Sequence, residues 1–277
     1  IYTFVEKEDN TNYFKDIIGI EKPSIIHIWG TEYPHSFEMF LAAKWHNLNN
    51  RVVVSIQGLV SVYKRQYLAG IPEKELSLVT IRDLLRRTSV KKQIRDFEKR
   101  GECEIKLLEG VKNVIGRTMW DRAWSFFYNR KRNYYFCNES LRNCFYSGKW
   151  DINDIKRYSI FVSQSNYPIK GFHKLIEAVS LLRSIYPQIT IVTTGRNIVN
   201  TIDMRLSSYQ LYLKRLIIKY NMQKNVIFLG MLSAEEMKDS LIKSHIYVSP
   251  SAIENSSNAT CEAMLLGVPS ISSSVGG

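Results

Sequence analysis

The sequence predicts an α/β protein made of two doubly wound layers, each around a mostly parallel sheet. Three observations predict it. Short β-branched runs alternate with longer segments of helical period along most of the chain. A polar, turn-rich stretch at residues 147–157 (SGKWDINDIKR) divides that alternation in two. The chain ends in a strand–loop–helix–strand unit whose polar groups crowd the loop after the first strand. In an open α/β sheet that is the end at which ligands bind. The expected domains are 1–150 and 151–277.

In the first domain, residues 24–29 (SIIHIW) read as a buried strand, and His27, among apolar neighbours, as a core histidine. The loop 30–34 follows. A helix is expected at 35–47, where Phe37, Phe40, Leu41 and Trp45 give the period. Residues 51–56 (RVVVSI) are the next strand, closed by Gln57, Gly58 and Leu59. Strand, helix, strand is the βαβ pattern of a parallel sheet. The region 60–132 is aromatic and basic, with helical period at 81–97 and 119–128. Residues 133–137 read as a further strand.

The second domain alternates more regularly. Strands are expected at 159–163, 189–193, 225–229, 246–249 and 270–274. Helices are expected at 172–185 and 207–220. Ser233 and Glu236 have capping-box spacing for another. In the last unit Ala259, Ala263 and Leu266 form one helix face, and Gly267 then Pro269 end it.

The chain has 277 residues, is 45% hydrophobic and carries a formal net charge of +12. That is enough for two cores. It opens at Ile1 without Met and stops on a Gly pair in mid-pattern, so both termini of a longer protein are expected to be missing. No run approaches the roughly 20 apolar residues that span a bilayer. Cys103, Cys137, Cys144 and Cys261 form no C-x-x-C pair and read as reduced thiols of a cytoplasmic protein. The positive charge fits nucleic acid, an anionic membrane face or phosphorylated substrates. No nucleic-acid-binding motif accompanies it. Residues 82–100 hold eight basic and three acidic side chains, interleaved with Leu84, Leu85, Val90, Ile94 and Phe97. One reading is an amphipathic surface for the anionic inner face of the plasma membrane. The other is a solvated helix packing on its own domain.

The chemistry concentrates at 246–277. Glu254 lies in the loop and Glu262 in the first turns of the helix, with seven residues between them. Ser256, Ser257 and Asn258 between them are natural N-cap residues. A helix start attracts an anion such as phosphate, and two carboxylates beside it suit a ligand with hydroxyl groups. A nucleotide sugar carries both. Read from spacing alone, the glutamates are equally well solvated surface residues. Lys170, in a turn before Gly171, can reach a phosphate above the sheet edge.

The span 249–277, with its E-x7-E pair, AMLLGVP run and terminal VGG, resembles the signature of retaining, GT-B-fold glycosyltransferases of the bacterial group 1 type (family 4). HIWGTEYPHS and SIQGLVSVY resemble a surface-polysaccharide subgroup. The resemblance implies two Rossmann-like domains facing a cleft, the second truncated here. It implies that Glu262 takes the donor ribose hydroxyls, that Glu254 holds the transferred sugar, and that the backbone of Asn255, Ser256, Ser257 and Asn258 contacts sugar and diphosphate. Lys170 becomes the diphosphate lysine. The partner Arg common in the family is Ser165 here, with Arg196 as a candidate substitute. Gln57 stands where the family often has His, and can hydrogen-bond but not titrate. Thr31, Glu32, Tyr33 and Gln57 are acceptor-side candidates, with His35 in the same loop. The family's Gly-rich N-terminal loop is expected to precede Ile1. No Asp-x-Asp motif is present, which fits a metal-independent site without a cofactor. The implied activity moves a sugar from a nucleoside-diphosphate donor to a glycan or lipid-linked acceptor with retention, in the cytoplasm or peripherally on the inner membrane face. A nucleotide-sugar epimerase and a catalytically degenerate sugar-nucleotide-binding protein remain alternatives.

Overall fold

The computed structural model describes residues 9–277, which form two parallel sheets with helices packed on them. The first half runs α1 (Thr11–Glu21), β1 (Ile26–Trp29), α2 (Pro34–Trp45), β2 (Val52–Ser55), α3 (Val60–Tyr63), α4 (Glu73–Leu76), α5 (Ile81–Arg86), α6 (Val90–Gly110), β3 (Asn113–Gly116), α7 (Met119–Tyr128) and β4 (Asn133–Phe136). Its strands lie side by side in chain order, β1-β2-β3-β4, all parallel. Right-handed crossovers that advance in one direction put their helices on one face. Phe14, Phe40, Val54, Leu107 and Val114 form the core there. The opposite face leaves Trp29 and Tyr135 more than half exposed.

That topology corrects the reading of His27. It alternates outward on β1, is exposed, and exchanges a 2.8 Å hydrogen bond with the Ser55 hydroxyl. Its apolar neighbours in sequence point to the other face, because side chains along a strand alternate.

The helical stretch expected at 81–97 is two helices. Arg87 closes α5 in the left-handed region at φ 52°, and Ser89 caps α6 by accepting from the Lys92 N–H. The break separates two apolar sets. Val90, Ile94 and Phe97 pack on the first core, as the solvated-helix reading requires. Leu84 and Leu85 on α5 stay 68% and 81% exposed. Helix α1 and strand β3 lie outside the sequence expectations.

The second half runs β5 (Lys156–Val162), α8 (Phe172–Leu182), β6 (Thr190–Thr193), α9 (Ser208–Lys219), β7 (Val226–Phe228), α10 (Ala234–Ile242), β8 (Ser244–Ser249), α11 (Asn258–Leu265) and β9 (Ser270–Ser272). The strand order is β7-β6-β5-β8-β9, so the winding reverses between β5 and β8. Helices cover both faces. Ile176, Ile191 and Ile217 fill one side, and Phe161, Tyr247 and Ala263 the other. Each buried isoleucine or phenylalanine among them contributes about 2 kcal/mol. Capping boxes start α9 at Ser207 with Gln210 and α10 at Ser233 with Glu236. Phe145 and Trp150 belong to the second half's packing, and the Trp150 indole donates to the Ser244 carbonyl at 2.8 Å.

The halves also exchange core residues. Ile169 and Ile253 pack into the first core, and Ile71 packs into the second. No helix among the described residues is long and apolar enough to cross a membrane.

Candidate active site

A cavity of about 490 Å³ opens at the C-terminal ends of β5 and β8, where the winding reverses. Its floor is Val162 to Gln164 and Tyr247 to Ser251. Lys170, Glu254, Ser256, Ser257, Asn258 and Glu262 line it, and Arg117 and Arg142 reach it from outside the second sheet.

Backbone geometry sets the positions. Asn258 begins α11, and the Ser257 hydroxyl caps it by accepting from the Thr260 N–H at 3.3 Å. The positive end of that helix faces the cavity. Lys170 ends a 3₁₀ turn, and Gly171 follows at φ 66° as the N-cap of α8. A Cβ there would run into the Pro250 carbonyl, so only glycine lets the lysine turn sit against the Glu254 loop. The Ala252 N–H donates to the Ile169 carbonyl across that contact at 2.8 Å. The final glycines close the other side, the Gly277 N–H donating to the Glu254 carbonyl at 3.0 Å.

Each carboxylate has a cation. Lys170 Nζ lies 2.5 Å from Glu254 Oε1, which also accepts from the Ser251 hydroxyl at 2.8 Å. Arg142 grips Glu262 with both prongs, Nε to Oε1 and Nη2 to Oε2, each at 2.7 Å. Glu262 is 4% exposed and Arg142 46%, so the guanidinium covers the carboxylate from the solvent side. The hydrogen bonds to Glu262 push the Arg142 guanidinium above its ordinary value. Arg117, buried at the end of β3, donates to Glu139 Oε2 at 2.8 Å and to the Gln57 carbonyl at 3.1 Å.

These cations bear on the missing arginine. Ser165 is buried, and its hydroxyl donates to the Thr194 carbonyl at 3.4 Å. Arg196 is exposed and does not line the cavity, whereas Arg142 and Arg117 do. Both lie far from Ser165 in the chain, and spacing gave no signal for them.

The sequence candidates divide. Glu254, Glu262, Lys170, Ser256, Ser257 and Asn258 converge on one cavity. Asn255 lies outside its lining at 1% exposure. The Asn255 amide donates to Asp121 Oδ2 at 3.0 Å and accepts from the Thr118 hydroxyl at 2.7 Å, tying the loop to the first half. Gln57 lines a separate cavity of about 460 Å³ beside His27 and Trp29, and donates to Glu139 Oε1 at 2.5 Å. Thr31 corrects the expectation of a cleft-facing group. It is fully buried and donates to Glu104 Oε1 at 2.6 Å. Glu32 is half-buried; burial raises its pKa against the backbone N–H groups of Glu32, Thr31 and Gly58. Tyr33 is 48% exposed and lines a third cavity, discussed below.

Two buried acids were not foreseen. Asp121 accepts from the Arg117 N–H, the Asn255 amide and the Tyr134 hydroxyl. Glu104 accepts from Thr31 and from the Ser61 N–H at 2.7 Å. Burial pushes the Glu104 carboxyl up to about 7. The Tyr63 hydroxyl meets the Asn255 backbone, and burial, then the charge of Glu254, raises its pKa.

Fold and site define a two-sheet α/β protein with a ligand cavity at a topological switch point and a facing half. The model of the family described as Glycosyl transferases group 1 matches residues 145–277. That match covers the second half of the chain, and the chain as a whole has the GT-B architecture of the solved structures it resembles. It is similar to sucrose-phosphate synthase from Thermosynechococcus elongatus, with 16% identity, a TM-score of 0.67, and coverage of 99% of this chain and 64% of that one. It is similar to TarM, with 16% identity, a TM-score of 0.61, and coverage of 98% and 46%. It is also similar to a trehalose-6-phosphate protein from E. coli bound with UDP-2-fluoro glucose, with 11% identity, a TM-score of 0.58, and coverage of 95% and 61%. The chain thus spans less than two thirds of the length of each, and at these identities the likeness establishes the fold. No curated protein sequence matches it.

Proposed function

We propose that this protein transfers a sugar from a nucleoside-diphosphate donor to a glycan or lipid-linked acceptor, with retention at the anomeric carbon and without a metal ion. One observation carries the reading. The cavity at the switch point brings Glu254, Glu262, Lys170 and the start of α11 together and faces the first half. Glu262 accepts from the ribose hydroxyls and Glu254 holds the transferred sugar. The acceptor hydroxyl oxygen bonds to the anomeric carbon as the bond from that carbon to the diphosphate breaks. The acceptor proton passes to the leaving phosphate oxygen. Negative charge grows on that phosphate, and Lys170 and the α11 N-terminus stabilise it. Arg142 supplies the second cation once the ribose has taken its place on Glu262. In this reading 1–150 is the acceptor-side domain and 151–277 the donor domain. The setting is polysaccharide assembly at the cytoplasmic face of the membrane. Two of the similar structures hold a uridine nucleotide or its sugar, which supports a donor of that class.

The test incubates full-length protein with a panel of nucleotide sugars and candidate acceptors. Acceptor-dependent release of a nucleoside diphosphate is expected. An altered sugar on an intact diphosphate would make the protein an epimerase, and binding without turnover would make it a binding protein.

A further inference from the structure

A cavity of about 990 Å³ lies outside the proposed donor cavity. It opens between Tyr33 and helices α5 and α6 of the first half and residues 164–170 and the start of α9 of the second. Lys170 and Gln164 line both cavities, so the two join beside the Lys170–Glu254 pair.

Its charge differs from that of the donor cavity. There Lys170 and Arg142 are each matched by a carboxylate within 2.7 Å. Here Arg82, Lys99 and Arg100 face the space. Among the described residues Lys99 and Arg100 have no salt-bridge partner, and Arg82 reaches only Asp83 at 4.0 Å. Asp83 is itself engaged with the Thr88 hydroxyl and the Ser208 N–H. The acid in the lining, Asp96, is held by Lys92 at 2.9 Å. The Nε of Arg100 is buried without a hydrogen-bond partner. The half-buried Glu32 feels the charge of Arg100 but forms no salt bridge with it. Cations without a salt-bridge partner around a cleft create a field that draws an anion, and an arginine fork fits phosphate oxygens.

Its walls are also aromatic. Tyr33, Tyr67, Phe97 and Tyr167 line it. The Arg100 guanidinium stacks 4.4 Å from the Phe97 ring centre and 5.3 Å from that of Tyr33, which fixes it in place. Flat aromatic faces beside cations suit a saccharide ring bearing an anionic group.

We propose that this cavity is the acceptor subsite and that it takes a phosphate-bearing saccharide. The inference rests on the transferase reading and adds the chemical class of the acceptor. The phosphate sits on Arg82, Lys99 and Arg100, the ring stacks on the aromatic wall, and the reacting hydroxyl points past Lys170 towards Glu254.

The experiment measures binding to the full-length protein by calorimetry and ligand-observed NMR. The probes are glucose 1-phosphate, glucose 6-phosphate, neutral glucose, inorganic phosphate and UDP. At least one sugar phosphate should bind tenfold or more tightly than both glucose and inorganic phosphate. Substituting Arg82→Ala with Arg100→Ala should abolish that preference and leave UDP affinity unchanged. The single Lys99→Gln variant, at an exposed position, should weaken it severalfold and serves if the double variant does not fold. Equal binding of glucose and both sugar phosphates would overturn the proposal, as would a preference that survives both sets of substitutions. Inorganic phosphate binding as tightly as the sugar phosphates would reduce the cavity to a plain anion site. Failure of every nucleoside diphosphate of the donor panel, UDP included, to bind would instead overturn the transferase reading.

Discussion

Glu262 is almost buried and tied to Arg142, while Glu254 is tied to Lys170. A hydrogen bond to a charged group contributes roughly 1.5–3 kcal/mol. Glu262→Ala is therefore expected to weaken donor binding by about tenfold to a hundredfold, with little change in turnover. In the proposed transfer Lys170 stabilises the leaving phosphate, so Lys170→Ala is expected to lower kcat by about 10²–10³. Steady-state kinetics on the donor found by the panel decide this, and unchanged constants in both variants would remove the site assignment. A third residue gives a pH signature. The Glu104 carboxyl is raised from 4.5 to about 7 by burial. Between those values the native state holds a proton that the unfolded chain has released, so the stability owed to this group falls as pH rises through the window. A shift of that size corresponds to about 3 kcal/mol. Compared with Glu104→Gln, the wild-type protein should lose up to that much stability between pH 5 and pH 8 in urea unfolding. A stability gap that does not change with pH would show that Glu104 does not titrate there.

At the scale of elements, the turn before α8 is where local conformation and chemistry meet. Gly171 lies at φ 66° with the Pro250 carbonyl where a Cβ would go. Gly171→Ala is expected to cost about 1–3 kcal/mol and to push Lys170 away from Glu254. Turnover should fall together with the urea midpoint. Retained turnover with a lower midpoint would separate the turn from the chemistry. Sequence reading found this turn, the β8–α11 unit and the strands of the second half, because their signals are local: β-branched runs, capping pairs, and glycine before proline. It did not find Arg117, Asp121, Glu139 or Arg142. These come from the first half and the connection after β4, and only the closing of the two sheets brings them to the Glu254 loop. The run 81–97 looked like one amphipathic helix because sequence period does not show a left-handed residue at Arg87. His27 looked buried because its neighbours are apolar, while the strand order that bares its face is a tertiary fact. Thr31 looked like a ligand-facing hydroxyl in a polar loop, and its partner Glu104 lies far away on α6.

At the scale of the molecule, the cavity exists because two halves with separate sheets are held in register. Two independent cores would be expected to unfold in separate transitions. Here Ile253, next to Glu254 in the chain, is buried at 7% exposure in the first half's core, and Ile71 at 8% in the second's. The buried bonds of Asn255 to Asp121 and Thr118 add a polar seam. Unfolding the first half exposes Ile253 and leaves Asp121 and Asn255 without partners, so it removes the packing that shapes the Glu254 loop. The halves should therefore melt together. Ile253→Ala deletes buried methylenes and is expected to cost about 2–4 kcal/mol, moving that single transition as a whole although the residue sits in the second half's sequence. Calorimetry on the full-length protein tests both points. Two resolved transitions over this region, with only one displaced by Ile253→Ala, would mean that the halves are independent bodies and that the cleft between them is set by the ligand rather than by the cores.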